Sequence, residues 1–394
     1  MKKYNFDEII DRHGTDCLKY DFAVRRGRPA DVLPMWVADM DFRVPDCIQE
    51  ALTQRVNHGI YGYTDMGDEY NEAVCSWFEK RHGWRPDPEW IVKTPGVVTA
   101  LALAVRALTE PGDAVLIQQP VYYPFSGVIE ANGRRVISSD LVLAGECGPY
   151  ATDFDDFERK IEENGIHLFI LCSPHNPVGR VWKKDELRQI ADICERHDVK
   201  VVSDEIHCDL LLGDSVHTPF VTVSDYARDN SIVCTAPSKT FNIAGLQASN
   251  IFIPNEEIRE KFKAEMSCFG YGGLSVMAFA AAKAAYEGGM EWHIQVMEYI
   301  ENNLDWLRNY LTENLPEIKL IEPEGTYLIW LDCRELGMNA EELEDFMLNK
   351  AKLWLDEGAI FGRAGAGFER INIACPRSTL EEAMDRLAKA VGQL

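Results

Sequence analysis

The chain has 394 residues, with 40 Lys and Arg against 64 Asp and Glu and a net charge of -24. That length buries a large core and allows roughly two or three domains, and the composition is that of an ordinary soluble globular protein. The acidic balance, without any block of Lys or Arg, excludes nucleic acid and anionic membrane as natural partners.

The 11 cysteines are scattered from Cys17 to Cys375, with no C-x-x-C pair and no His/Cys cluster at metal spacing. This predicts reduced thiols in a cytoplasmic protein, with neither a disulfide framework nor a zinc site. The first residues meet Asp7 and Glu8 before any apolar run develops, and no later run approaches membrane-spanning length, so neither a signal peptide nor a transmembrane helix is expected.

In chain order, the first patterned stretch is the apolar segment 32–42, which ends in Asp39 and Asp41 and reads as a strand covering a core. Residues 45–57 read as a helix with Ile48, Leu52 and Val56 on one stripe. The aromatic, Gly-rich run 60–67 reads as an exposed loop, and 69–82 is again helical.

From Trp90 strand and helix alternate, the sign of a largely parallel sheet covered on both faces. Strands are expected at 114–118, 135–137, 168–172, 200–203, 232–234 and 250–253. Helices are expected at 97–108, 124–132, 155–163, 184–197 and 256–267, with a buried, Ala-rich helix at 274–286. A long helix over 290–315 carries Ile300, Leu304, Leu307 and Leu311 on one stripe and is stopped by Pro316. Strands around 318–321, 327–331 and 370–374, a helix near 341–350, a Gly-rich loop at 362–367 and a closing helix from Thr379 complete a smaller α+β domain. The expected division is a large domain over 45–288 and a small one made of 1–44 and 289–394.

Ligands of open α/β sheets bind beyond the carboxyl ends of the strands, where loops converge and helix N-termini offer free N–H groups. Four expected strands deliver capable groups to that edge: Tyr122 and Tyr123, then His175 and Asn176, then Asp204 and His207, then Lys239. Lys239 is expected in a loop of small and polar residues, followed by Phe241, Ile243 and Leu246; desolvation there lowers an amine's pKa and readies it for Schiff-base chemistry. Each group alone has a plain structural use as a cap, core residue or turn. Jointly they suit an aromatic cation that bears an aldehyde and a phosphate. Asp204 can pair with a pyridinium nitrogen, Tyr122 can stack on the ring, Asn176 can donate to a ring phenolate, and Thr94–Thr99 opens a helix whose N–H groups can hold the phosphate.

The motifs Pro-Gly-Val-Val at 95–98, Pro-Val-Tyr-Tyr-Pro at 120–124, His-Asn-Pro-Val-Gly at 175–179, Ser-Asp-Glu-Ile-His at 203–207 and Ser-Lys-Thr-Phe-Asn-Ile-Ala-Gly-Leu at 238–246 resemble the class I/II aminotransferase family of fold-type I pyridoxal 5′-phosphate enzymes. Met-Trp-Val-Ala-Asp-Met-Asp-Phe at 35–42 and His207 resemble its cystathionine β-lyase (C–S lyase) branch.

The resemblance implies Lys239 as the cofactor-bearing lysine, Asp204 on the pyridine nitrogen, Asn176 near the ring oxygen and Tyr122 stacked on the ring. It implies Ser238 and the Gly96, Val97 and Val98 backbone on the phosphate. It also implies a homodimer in which Tyr63, or alternatively Tyr61, reaches the neighbouring subunit's phosphate. Arg370, helped by Asn176 and the Ala38 backbone, would hold the substrate α-carboxylate. Two positions depart from the wider family pattern: Gln247 stands where many aminotransferases carry a phosphate-binding arginine, and His207 where many carry a ring-contacting tyrosine.

The implied reaction is α,β-elimination from a sulfur amino acid to thiol, pyruvate and ammonia, with Tyr122 or Tyr123 protonating the leaving sulfur. Transamination shares every step to the carbanion and is the alternative. A regulatory protein contacting a transcription activator is the alternative of another class, because the branch includes enzymes with such a second role.

Overall fold

The computed structural model describes residues 2–65, 67–145 and 147–394. A seven-stranded sheet runs in the spatial order Ile91–Thr94, Ser249–Phe252, Ser231–Thr235, Lys200–Asp204, Leu168–Cys172, Ala114–Ile117, Arg135–Ser138. Ser249–Phe252 is antiparallel to both neighbours, and the remaining pairings are parallel.

Strands Ala114–Ile117 and Leu168–Cys172 are apolar along their whole length because successive side chains alternate between two covered faces. Leu168, Ile170 and Cys172 pack with helices Val97–Leu108, Pro124–Ala131 and Glu256–Cys268. Phe169 and Leu171 point the other way, into the cluster formed with helices Phe154–Asn164 and Lys184–Arg196. The helices start where a side chain can take an orphan N–H: Asp153, Asn255 and Ser275 each accept from the backbone three residues on.

A second, antiparallel sheet has the order Lys319–Leu320, Leu328–Asp332, Phe368–Asn372, Asp356–Glu357. The helix Met290–Asn314 covers it with the expected stripe, since Ile300, Leu304, Leu307 and Leu311 are all buried.

Segment 35–42 lies between this sheet and the first. The Asn372 amide donates to Val37 O and Asp39 O, at 2.6 Å each, and Asp41 N donates to Ala374 O at 2.9 Å. Its acids are held by cations from the N-terminal residues: Lys19 Nζ and Arg12 Nη1 each lie 2.7 Å from Asp41, and Arg12 Nη2 lies 2.6 Å from Asp39. Lys19 is fully buried, so removing Asp41 would strand a charge away from water.

The structure departs from the sequence expectations in several places. Segment 32–42 makes only a two-residue strand, Leu33–Pro34, against Leu353–Trp354, because its remaining polar backbone is taken by Asn242, Asn372 and Arg370. Lys239 lies in a one-turn helix, Pro237–Thr240, not in a loop; Pro237 at its start presets the helical φ. Ile91–Thr94 is a strand that was not expected; only Ile91 and Val92 in it are apolar. The helix expected to Lys350 is α-helical only over Ala340–Asp345 and loosens into a π turn over Phe346–Lys350. Val56, on the expected apolar stripe with buried Ile48, is 54% exposed.

Candidate active site

The parallel strands end at a cleft of about 200 Å³ lined by Ala38, Gly96–Thr99, Tyr122, Asn176, Asp204, His207, Ser238, Lys239 and Gln247, among others. Strand Lys200–Asp204 ends on Asp204 itself, Leu168–Cys172 is followed by Asn176, and Ser231–Thr235 by the Lys239 turn. Neighbouring parallel strands in register therefore bring the amine and the carboxyl group to one cavity.

Lys239 is half-buried, and its Nζ donates to Ala38 O at 2.7 Å, an oxygen that also accepts from Tyr327 Oη at 3.1 Å. Burial lowers its pKa to about 8; Arg370 adds to that fall, while Asp39 and Asp204 oppose it. The Asp204 carboxyl is pushed up to about 7, chiefly by burial, although Ile206 N–H donates to it at 3.1 Å. A buried carboxyl group raised that far gains most from a cation placed against it. His207 is buried too; desolvation lowers its pKa to about 3, and its Nδ1 has no hydrogen-bond partner among the described residues. A neutral imidazole thus faces the cavity. Burial also raises the pKa of Tyr122.

At the other end of the cleft, Gly96 precedes helix Val97–Leu108 with φ 141° and ψ 156°, a conformation that a side chain would strain. The first-turn N–H groups of Val97, Val98 and Thr99 lack intrahelical acceptors and carry the positive end of the helix dipole. Gln247 lines this end, in a left-handed conformation with φ 55°.

Arg370 stands behind Asn176. Its Nη1 donates to Asn176 Oδ1 at 2.9 Å, its Nη2 donates to Trp36 O at 3.0 Å, and it forms an ion pair with Asp356. Tyr123 does not line the Lys239 cavity; it is 43% exposed and packs edge-on to Phe361, 6.0 Å between ring centres. Tyr61 and Tyr63 are not brought to the cavity within one chain: Tyr61 Oη donates to Val56 O at 3.3 Å, and Tyr63 is fully exposed.

Sequence reasoning passed over Tyr327 and Asp356. Tyr327 was read only as the start of a strand, and Asp356 gave no local signal because its partner Arg370 comes from another strand of the same sheet.

The fold and cleft define an α/β enzyme class in which one desolvated lysine and one buried acid face a common cavity beside an anion-binding helix start. A family model described as "Aminotransferase class I and II" matches residues 30–387, and the chain belongs to that family. Cystathionine beta-lyase PatB of Bacillus subtilis (strain 168) is 46% identical over 387 residues, which is 98% of this chain and all of PatB. Protein MalY of Escherichia coli (strain K12) is 36% identical, with 98% of this chain and 99% of MalY covered. Among solved structures, cystalysin from Treponema denticola, which contains pyridoxal 5′-phosphate, matches with a TM-score of 0.95 at 40% identity over the full length of both chains. The PLP-bound C–S lyase from Staphylococcus hominis matches with a TM-score of 0.92 at 35% identity, covering 99% of this chain and 98% of its own.

Proposed function

We propose that this protein is a pyridoxal 5′-phosphate-dependent carbon–sulfur β-lyase, which eliminates a thiol from a sulfur amino acid and releases pyruvate and ammonia. The observation that carries the reading is the single cavity shared by the Lys239 amine, lowered to about 8, and the Asp204 carboxyl, raised to about 7.

The residues fit the cofactor. Lys239 supplies the amine for its aldehyde, and Asp204 the anion for its pyridinium nitrogen. Tyr122 offers a flat face for the ring, and Asn176 and His207 stand for the ring oxygen. Ser238 and the Gly96, Val97 and Val98 backbone offer donors to its phosphate. Bound there, pyridoxal phosphate supplies a conjugated cation that takes up electron density from the substrate Cα.

The chain's own groups do the rest. Arg370, with Asn176 and the Ala38 backbone, fixes the substrate α-carboxylate and turns the Cα–H bond toward Lys239. Lys239, half neutral at about pH 8 and increasingly so above it, takes the Cα proton. Asp204 keeps the proton on the ring nitrogen, and a neutral His207 leaves the ring-oxygen side without a second cation. The thiolate leaves from Cβ with a proton from Tyr122 or Tyr123.

The same reading makes the protein a homodimer. The phosphate end of the cleft is open in one chain, where Ala244 and Gln247 are exposed. The apolar Val56, Ile60, Tyr61, Tyr63 and Phe269 are also exposed, and Arg55 Nε and Tyr271 Oη are buried without partners among the described residues. Tyr63, or Tyr61, then completes the partner's phosphate site. The cofactor-binding domain is residues 45–288, and the small domain is 1–44 with 289–394.

Incubation with L-cystathionine tests the reading: pyruvate and free thiol should appear together without an added keto acid. Keto-acid formation that needs an amino acceptor and liberates no thiol would replace lyase by aminotransferase.

A further inference from the structure

The Lys239 turn is too short to hold its own geometry. It is a single helical turn, Pro237–Thr240, and its N-cap Ala236 offers no side-chain bond. One turn of helix is unstable in isolation, because too many dihedrals are fixed for too few hydrogen bonds. Something else must set where the amine stands.

A buried network outside the cleft does so. Thr240, next to Lys239 and fully buried, donates from Oγ1 to Asp209 Oδ2 at 2.8 Å. Asp209 is 3% exposed and accepts from Trp77 Nε1, 3.1 Å from each carboxylate oxygen, and from His82 Nε2 at 3.0 Å. Arg81 Nε lies 3.8 Å away. Burial alone would raise the Asp209 carboxyl, but the His82 hydrogen bond and the neighbouring His82, His293 and Arg81 side chains outweigh it and hold it well below the usual carboxylate range.

A second couple stands against the first. Glu205, adjacent to Asp204, meets His217 Nε2 at 2.8 Å and accepts from Ser203 Oγ and Phe220 N. The His217 and His82 rings meet edge to face with centres 5.3 Å apart. Two buried imidazole–carboxylate couples thus stand behind the cleft, one beside Asp204 and one beside Lys239. None of Trp77, His82, Asp209 and Thr240 lines the cleft.

We propose that Asp209 is a positioning residue for Lys239. Through Thr240 its carboxylate ties the lysine turn to helix Gly67–His82 and to the segment that leaves the Asp204 strand. The amine is therefore held at a fixed height over Asp204 while it exchanges partners. The hydrogen bonds within Asp209's shell already occupy its oxygens, so this carboxylate serves as an anchor.

The inference rests on Lys239 being the reactive amine. Its test uses the cofactor-loaded enzyme carrying Thr240→Val, which keeps shape and loses only the hydroxyl, with Thr240→Ser as rescue and Asp209→Asn as a second probe. Four quantities are read: kcat and KM for L-cystathionine, the midpoint of the pH titration of the visible band of lysine-bound cofactor, and the thermal midpoint. Displacing a reacting group by about 1 Å costs up to about 100-fold in rate, so Thr240→Val should lower kcat by about tenfold or more and leave KM within about twofold. It should also move the spectral midpoint by about half a pH unit or more, because the amine's surroundings change. Thr240→Ser should restore both, and Asp209→Asn should reproduce the Val pattern wherever it folds. A Thr240→Val enzyme with unchanged kcat and spectral midpoint, altered only in thermal midpoint, would overturn the proposal. A wild-type enzyme with no visible band at all would instead overturn the lyase reading beneath it.

Discussion

Lys239 and Asp204 are perturbed in opposite directions by one cause, burial, and the direction follows from the sign of each charged form. Desolvation disfavours an ammonium and lowers its pKa, whereas it disfavours a carboxylate and raises its pKa. A measurable pH dependence follows for cofactor uptake. Only the neutral amine attacks an aldehyde, so imine formation on the apoprotein should accelerate as pH rises through about 8 and level off above it. A stopped-flow titration of pyridoxal phosphate binding between pH 6 and about 10 would show this; a midpoint near the ordinary lysine value of about 10.4 would mean that the amine is not desolvated. At this scale the sequence was highly legible. Lys239, Asp204, Asn176, Tyr122 and His207 all line the cleft, because each lies at or just after a strand end and strand ends are readable from apolar runs. Tyr327 and Asp356 were not, because they contribute through contacts with Ala38 and Arg370 that no local pattern encodes.

The elements that carry these residues were less legible where they are short. The Pro237–Thr240 turn was expected as loop, and the Ile91–Thr94 strand has only Ile91 and Val92 as an apolar run. The lysine turn depends on distant groups at its C-terminal end: Thr240 meets Asp209, and Asn242, with φ 56°, clasps segment 40–42 by accepting from Met40 N at 2.9 Å and donating to Met40 O and Phe42 O at 2.8 and 3.0 Å. Such partners are remote in sequence, so the conformation is a tertiary result. Asn242→Ala removes these bonds and puts a Cβ residue without Asn's local hydrogen bonding at positive φ. It should destabilise the fold by about 2 to 4 kcal/mol in urea unfolding. Asn242→Gly, which relieves the backbone alone, should recover about 1 kcal/mol of that. Equal stability of all three proteins would show that the clasp does not hold the turn.

For the whole molecule, the alternation of strand and helix from Trp90 onward announced the α/β fold; among the described residues no helix is long and apolar enough to cross a bilayer. The apolar stripe of helix Asp46–His58, legible in the sequence as Ile48, Leu52 and Val56, runs from buried Ile48 to Val56 at 54% exposure. A stripe that outlasts its own core has a natural cover in a second copy of the chain. Sedimentation should give twice the 44.6 kDa chain mass. Tyr63→Phe should weaken pyridoxal phosphate binding by about tenfold, the loss of one hydrogen bond to a charged phosphate, without dissociating the dimer. A monomer that binds the cofactor with full affinity would remove Tyr63 from the site and the partner from the account.

The covalent chemistry assigned to Lys239 is tested most directly by borohydride reduction of the cofactor-loaded protein, followed by proteolysis and mass mapping of the pyridoxyl group. The expected result is a visible band that reduction bleaches and one stoichiometric label, on the peptide containing Lys239. A label on another lysine, or a protein that stays colourless and inert with pyridoxal phosphate supplied, would contradict it.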